Sequence, residues 1–192
     1  MLYSVVMEKF KKYLEDSASV ASEQIQLFDY FLEFSELIKK RVENGGGIYF
    51  CGNGGSAADS QHLAAELIGR FKKNRKPLKA LALTTDTSVI TSISNDLKFE
   101  DIFTRQIQAL CTEKDVLLAI STSGESKNIL NAVELANSFG MLTIGFTNNL
   151  DNSLGKLVDY SLNIPSQETG IIQQGHITFG QLLCYYLEES LT

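Results

Sequence analysis

The sequence predicts an α/β fold built on a mainly parallel sheet covered on both faces and preceded by long N-terminal helices. Three observations carry this prediction. Short apolar runs alternate with longer stretches of helical periodicity, which is the pattern of repeated βαβ units. The segment before the first run is long, polar-rich and helical in spacing. The 192 residues suffice for one compact domain with its own core, and hardly for two.

Taken in order, residues 5–43 set Ile25, Phe28, Phe31, Leu32, Leu37 and Ile38 at helical spacing and predict one or two helices. The glycines of "ENGGG" (43–47) stop them. "GIYFC" (47–51) is the first predicted strand, followed by a helix near 57–70. "LKALAL" (78–83) is the second, with a helix across 87–110 behind it. "DVLLAI" (115–120) leads into a helix at 127–139, and "MLTIGF" (141–146) and "VDYSLNI" (158–164) complete the strands. A last helix runs from about 168 to 190. No internal repeat or linker interrupts the pattern. Residues 1–192 are therefore read as a single domain, with a helical segment over 1–44 and an α/β core over 45–192.

Composition excludes several classes. Apolar residues make up 44% and charged residues 21%, which is an ordered globular composition. The formal net charge of -6 argues against nucleic-acid binding, which needs clustered cations to displace counterions. The one basic cluster, Arg70 to Lys79, is expected to be a solvated loop. Cys51, Cys111 and Cys184 lack C-x-x-C spacing and lie in or beside apolar segments, which fits core packing in a reducing cytosol. The start "MLYSVVMEKFKKYLEDS" carries lysines and acids by residue 16, so neither a signal peptide nor a membrane span is expected.

In such a sheet, ligands bind beyond the carboxyl ends of the strands, where loops meet helix N-termini. Two loops stand out there. Gly52-Asn53-Gly54-Gly55-Ser56 follows the first strand, and "STSGES", Ser121 to Ser126, follows the third. Glycine lets backbone N–H groups approach a ligand, a helix N-terminus adds partial positive charge, and the hydroxyls of Ser56, Ser121, Thr122, Ser123 and Ser126 add neutral donors. Together they describe a cradle for an anion such as phosphate, with no lysine required. Gly52-x-Gly54-x-x-Ala57 also satisfies a dinucleotide fingerprint. The acid that reading needs, however, comes only at Asp86, later than expected for a ribose contact. A phosphate is the better guest.

His62 and Glu66, at i and i+4, share one face of the helix that follows the first loop. A carboxylate there can abstract a carbon-bound proton from a carbonyl sugar. The same pair can instead hold a divalent metal, or form a plain surface pair.

"CGNGGSAADSQHLAAEL.GRF", "LALTTDTS", "SISND" and "LLAISTSGES.NI" resemble the sugar isomerase (SIS) domain, and specifically bacterial phosphoheptose isomerases. The resemblance covers nearly the whole chain. It implies a three-layer, doubly wound, five-stranded parallel sheet and a homotetramer that uses residues 1–44 in oligomerisation and shares its sites between subunits. It further implies a cytoplasmic role, with no membrane or nucleic-acid partner. The implied activity is aldose–ketose isomerisation of sedoheptulose 7-phosphate to D-glycero-D-manno-heptose 7-phosphate, the first step towards heptose precursors for lipopolysaccharide.

Matched position by position, the resemblance implies phosphate binding by Ser56, Ser121, Ser123 and Ser126 beside Thr122. It places Asn53, Gly54, Gly55, Asp96 and Gln173 against the substrate, with Asn53 and Asp96 on sugar hydroxyls. It assigns Glu66 as the base of an enediol proton transfer, and His62, Glu66 and Gln173 as zinc ligands. The last helix departs from the family pattern T-x-R-I-Q-E-x-H-x-x-x-x-H. Here Ile171 replaces the arginine, Gln174 the glutamate and Gln181 the closing histidine, which serves the family as fourth zinc ligand and second proton-transfer residue. Glutamine cannot shuttle a proton, although its carbonyl can hydrogen-bond a sugar or ligate a metal weakly. An altered catalytic position at Gln181 follows. His176, about 60° from Gln173 on the side away from Gln181, is expected to be structural. A regulator of the same fold that engages the bacterial replication initiator also lacks the closing histidine. A non-catalytic sugar-phosphate-binding reading therefore stands as the alternative.

Overall fold

The computed structural model describes residues 2–191; the predicted domain's end residues, Met1 and Thr192, lie outside the described residues. Helix α1 (Leu2–Glu23) passes through one 3-10 turn (Gln24–Leu27) into α2 (Phe28–Glu43). There follow β1 (Ile48–Gly52), α3 (Gly55–Ile68), β2 (Ala80–Ala82), α4 (Thr87–Asp96), α5 (Thr104–Leu110), β3 (Val116–Ile120), α6 (Lys127–Ser138), β4 (Leu142–Asn148), α7 (Ser153–Leu157), β5 (Tyr160–Ile164) and α8 (Thr169–Ser190).

The five strands form one parallel sheet in the order β2-β1-β3-β4-β5. Each predicted apolar run supplies one of them. The chain moves outward from β1 in both directions, so the topological switch point lies between β1 and β3, whose residues pair from Ile48↔Val116 to Gly52↔Ile120.

Strand residues alternate between two cores, as the period of two requires. Ile48 and Phe50 of β1, with Val116, Leu118 and Ile120 of β3, face Phe31, Phe34 and Ile38 of α2, Leu63 and Leu67 of α3, and Phe179, Leu183 and Leu187 of α8. Tyr49, Cys51, Leu117 and Ala119 face Ile107 of α5, Ile129, Ala132, Val133 and Ala136 of α6, and Leu154 of α7. Both faces are thus covered, which makes three layers.

Three details differ from the sequence reading. The helix expected over 87–110 is two helices separated by a 3-10 turn, Phe99–Asp101. Lys98 is extended there, with φ -157° and ψ 156°. The break turns Ile102 and Phe103 into the second core, a tertiary gain that local periodicity does not display. The basic cluster, Arg70 to Lys79, is not wholly solvated, because the Arg75 side chain is only 2% exposed. Helix α7 was not foreseen; Asn152 caps it by accepting from the Gly155 N–H at 2.9 Å. No helix among the described residues is long and apolar enough to cross a membrane.

Candidate active site

The two glycine- and hydroxyl-rich loops meet at the switch point. Asn53, Ser56, Ile120, Ser121, Thr122, Ser123, Ser126 and Gln173 line a cavity of about 80 Å³. The first loop folds as it does because Gly54 takes φ +54°, a left-handed conformation that costs glycine little. The Asn53 carbonyl then accepts from the Ser56 and Ala57 N–H groups at 3.0 and 3.3 Å and starts α3. Gly52 must lack a side chain, since a Cβ there would sit 2.5 Å from the Ser56 carbonyl oxygen.

The second loop is a tight turn around Gly124, φ +70°, whose N–H donates to the Ser121 carbonyl and hydroxyl at 3.2 and 3.1 Å. Ser121 Oγ lies 3.4 Å from both Ser123 Oγ and Ser126 Oγ, which gathers three hydroxyls in one place. Ser126 is the N-cap position of α6, yet its hydroxyl makes no cap hydrogen bond and is left to the cavity. The one acid of this loop is turned away. The Glu125 carboxylate accepts from the Ser153 N–H and hydroxyl at 2.8 and 2.7 Å, and those bonds hold its pKa below the usual range. The cavity lining is therefore neutral donors under the N-termini of α3 and α6, the environment that favours a phosphate.

Asn128, missed by the sequence reading, joins the two loops. Its amide and that of Asn53 exchange hydrogen bonds, both 2.9 Å, and Asn128 is only 2% exposed. Both ends of the Asn53 amide are taken by this pair, so Asn53 acts first as a strut between loops. The signal was present as "KN" after "STSGES", but nothing local marks an asparagine on α6 as the partner of one on the β1–α3 loop.

Gln173 reaches the cavity from the second turn of α8 and packs on Gly55, where a Cβ would meet its Nε2 at 2.5 Å. His62 and Glu66 lie outside the cavity, about 9 and 15 Å further along the α3 axis than Ser56. His62 Nε2 is 3.1 Å from Glu66 Oε1, and the side chains are 45% and 24% exposed. Asp59, one turn earlier on α3, was also missed. Its Oδ2 is buried without a hydrogen-bond partner, and burial raises its pKa. Gln181 is half-buried, directly after Gly180, which abuts Leu63 of α3. It is also one turn before Cys184, whose thiol burial and the Glu66 charge push up to about 12. The structure thus brings Gln181 and Glu66 to neighbouring turns of two packed helices.

Asp96 is different. It is exposed at the end of α4, where it accepts from the Asn95 amide at 2.8 Å, and it does not line the cavity. Asp86, the acid that a dinucleotide would need, is spent as the N-cap of α4, accepting from the Val89 N–H at 3.0 Å. His176 is fully buried, with its ring 5.9 Å from that of Phe146 and Nε2 3.1 Å from the Thr147 carbonyl, which makes it structural as expected.

The described residues contain no group of three or more His, Cys, Asp or Glu able to hold a metal. Of the positions the resemblance assigns to zinc, His62 and Glu66 are strong donors already hydrogen-bonded to each other. Gln173 and Gln181 offer only neutral carboxamide oxygens. Zinc sites are built from imidazole, thiolate and carboxylate, so this donor set falls short of one, and no step below runs through a metal.

The SIS domain family model matches residues 12–148. The phosphoheptose isomerase of Aquifex aeolicus (strain VF5) is 44% identical over 185 residues, covering 96% of this chain and 97% of that one. The chain belongs to the phosphoheptose isomerase family. Solved structures agree. That of a Neisseria gonorrhoeae phosphoheptose isomerase superposes with a TM-score of 0.90 at 36% identity, over 96% of this chain and 99% of that one. One from Francisella tularensis gives 0.92 at 34%, over 96% and 98%. Phosphoheptose isomerases are sugar-phosphate isomerases, and the cradle at the switch point is the part of this fold that suits that class.

Proposed function

We propose that the protein isomerises sedoheptulose 7-phosphate to D-glycero-D-manno-heptose 7-phosphate. The observation that carries this reading is the gathering of the Ser56, Ser121, Ser123 and Ser126 hydroxyls in one cavity with Gln173, while Glu66 lies outside it, further along α3. A sugar phosphate anchored there runs along α3 towards the Glu66 carboxylate, whose side chain leans back towards the helix N-terminus.

The phosphate sits among the hydroxyls of Ser56, Ser121, Ser123 and Ser126 at the α3 and α6 N-termini. Glu66 takes a proton from C1 of the ketose. The C1–H electron pair becomes the C1=C2 bond of an enediolate, and the carbonyl electrons move onto O2. The carboxylic acid returns its proton at C2, while the O1 proton passes to O2 and leaves the aldehyde at C1. His62 orients the Glu66 carboxylate. Gln181 hydrogen-bonds the sugar oxygens but cannot carry a proton between them, so that transfer goes through solvent.

The same reading places the enzyme in the cytoplasm, supplying heptose for lipopolysaccharide, as a homotetramer. Helix α1 supports the tetramer, because Val6, Phe10 and Leu14 remain 38%, 62% and 68% exposed. Asp96, on the surface, then meets a sugar in a neighbouring subunit's site. Turnover of sedoheptulose 7-phosphate by wild-type protein and by Glu66→Gln tests the reading; equal rates in the two would refute it.

Gln181 also favours a second reading, a non-catalytic regulator that binds a sugar phosphate and engages a protein such as the replication initiator. Capture of that initiator by protein that binds but does not turn over the sugar phosphate would decide for it.

A further inference from the structure

We propose that Arg75 is a positioning residue for Glu66, acting with Glu188 as a clamp on the two helices that carry the site. The inference rests on the reading of Glu66 as the base.

Glu66 lies in the last turn of α3, where the final carbonyls of a helix have no intrahelical partner and the turn frays unless something else binds them. Arg75 binds two of them. Its Nη2 donates to the Glu66 carbonyl and its Nη1 to the Leu67 carbonyl, each at 2.8 Å. The cation also opposes the negative end of the helix dipole.

What holds Arg75 comes from the other site helix. Glu188, on α8 and wholly buried, lies with Oε2 3.3 Å from Arg75 Nε, an ion-pair contact rather than an aligned hydrogen bond. It accepts three backbone N–H groups as well, from Phe71 at 3.0 Å and from Lys72 and Lys73 at 2.7 Å. The loop that brings Arg75 back under α3 is therefore anchored to α8, which also carries Gln173 and Gln181. The phosphate cradle sits at the opposite end of α3. Loss of the clamp should loosen the Glu66 turn and leave phosphate binding in place.

The test measures kcat and KM for sedoheptulose 7-phosphate in wild type, Glu66→Gln, Arg75→Met and Arg75→Lys, each shown folded by circular dichroism. Arg75→Met is expected to lower kcat on the order of tenfold to a hundredfold, with KM within about twofold, because a misplaced base costs turnover rather than binding. Arg75→Lys keeps the charge without the fork that spans both carbonyls and Glu188, and should recover part of kcat. If Arg75→Met does not fold, Glu188→Gln, which keeps shape and loses charge, takes its place with the same expected split. A wild-type kcat in the clamp variant, or a loss that appears equally in KM, overturns the proposal. Glu66→Gln at wild-type rate would instead overturn the reading beneath it, so the two failures are distinguishable.

Discussion

Titration of His176 gives a stability effect whose size follows from its surroundings. The ring is buried between α8 and β4, Nε2 donates to the Thr147 carbonyl, and Nδ1 is buried without a partner. Burial lowers its pKa from the ordinary 6.5 to about 4, although the bond to Thr147 pulls the other way. The native ring is thus neutral across a range where the unfolded ring takes a proton. Because the folded pKa lies below the unfolded one, the associated stability is fully present above about pH 6.5 and is lost as pH falls towards 4. The full difference is about 3 kcal/mol, of which about 2 kcal/mol falls between pH 7 and pH 5. Against a typical total of about 5 to 15 kcal/mol, such a loss is easily seen. Urea unfolding followed by circular dichroism at half-unit steps over that window gives the slope, and His176→Gln, a donor that does not titrate, gives the baseline. A wild-type curve parallel to that of His176→Gln would refute the reasoning.

Other perturbations address the site. Asn128→Leu removes the strut between the two loops and leaves the Asn53 amide without its partner; KM for the sugar phosphate should rise about tenfold by steady-state kinetics, with kcat less affected. Gly52→Ala forces a methyl 2.5 Å from the Ser56 carbonyl oxygen, and calorimetry should show phosphate binding lost together with about 2 kcal/mol or more of stability. Gln181→His adds an imidazole one turn from Cys184 on the Glu66 side of α8; zinc affinity by competition with a chelating dye, and turnover, should both rise, and unchanged values would sink this assignment.

Much of the fold was legible because its signals are local. The five apolar strands, the stop at "ENGGG" and both hydroxyl loops stand in contiguous stretches, and the sheet places the loops together through β1↔β3 pairing. The break between α4 and α5 was not legible, since the helical pattern runs on through it and only burial of Ile102 and Phe103 explains the turn. The Asn53–Asn128 and Arg75–Glu188 pairs were equally hidden: each joins residues far apart in sequence whose neighbours give no sign of a buried polar partner. Asp59 was visible as a letter beside His62 and Glu66. The burial of its Oδ2, though, is a property of the folded chain that the letter does not display.

The central claim is that Glu66 moves a carbon-bound proton on a sugar phosphate held by the two loops. Proton NMR of sedoheptulose 7-phosphate incubated with the protein in deuterated water tests it most directly. The account predicts formation of the heptose aldehyde phosphate with deuterium entering at C2, or exchange at C1 of the ketose, and neither in Glu66→Gln. Protein that binds the sugar phosphate by calorimetry yet leaves both carbons unlabelled and forms no product would contradict it.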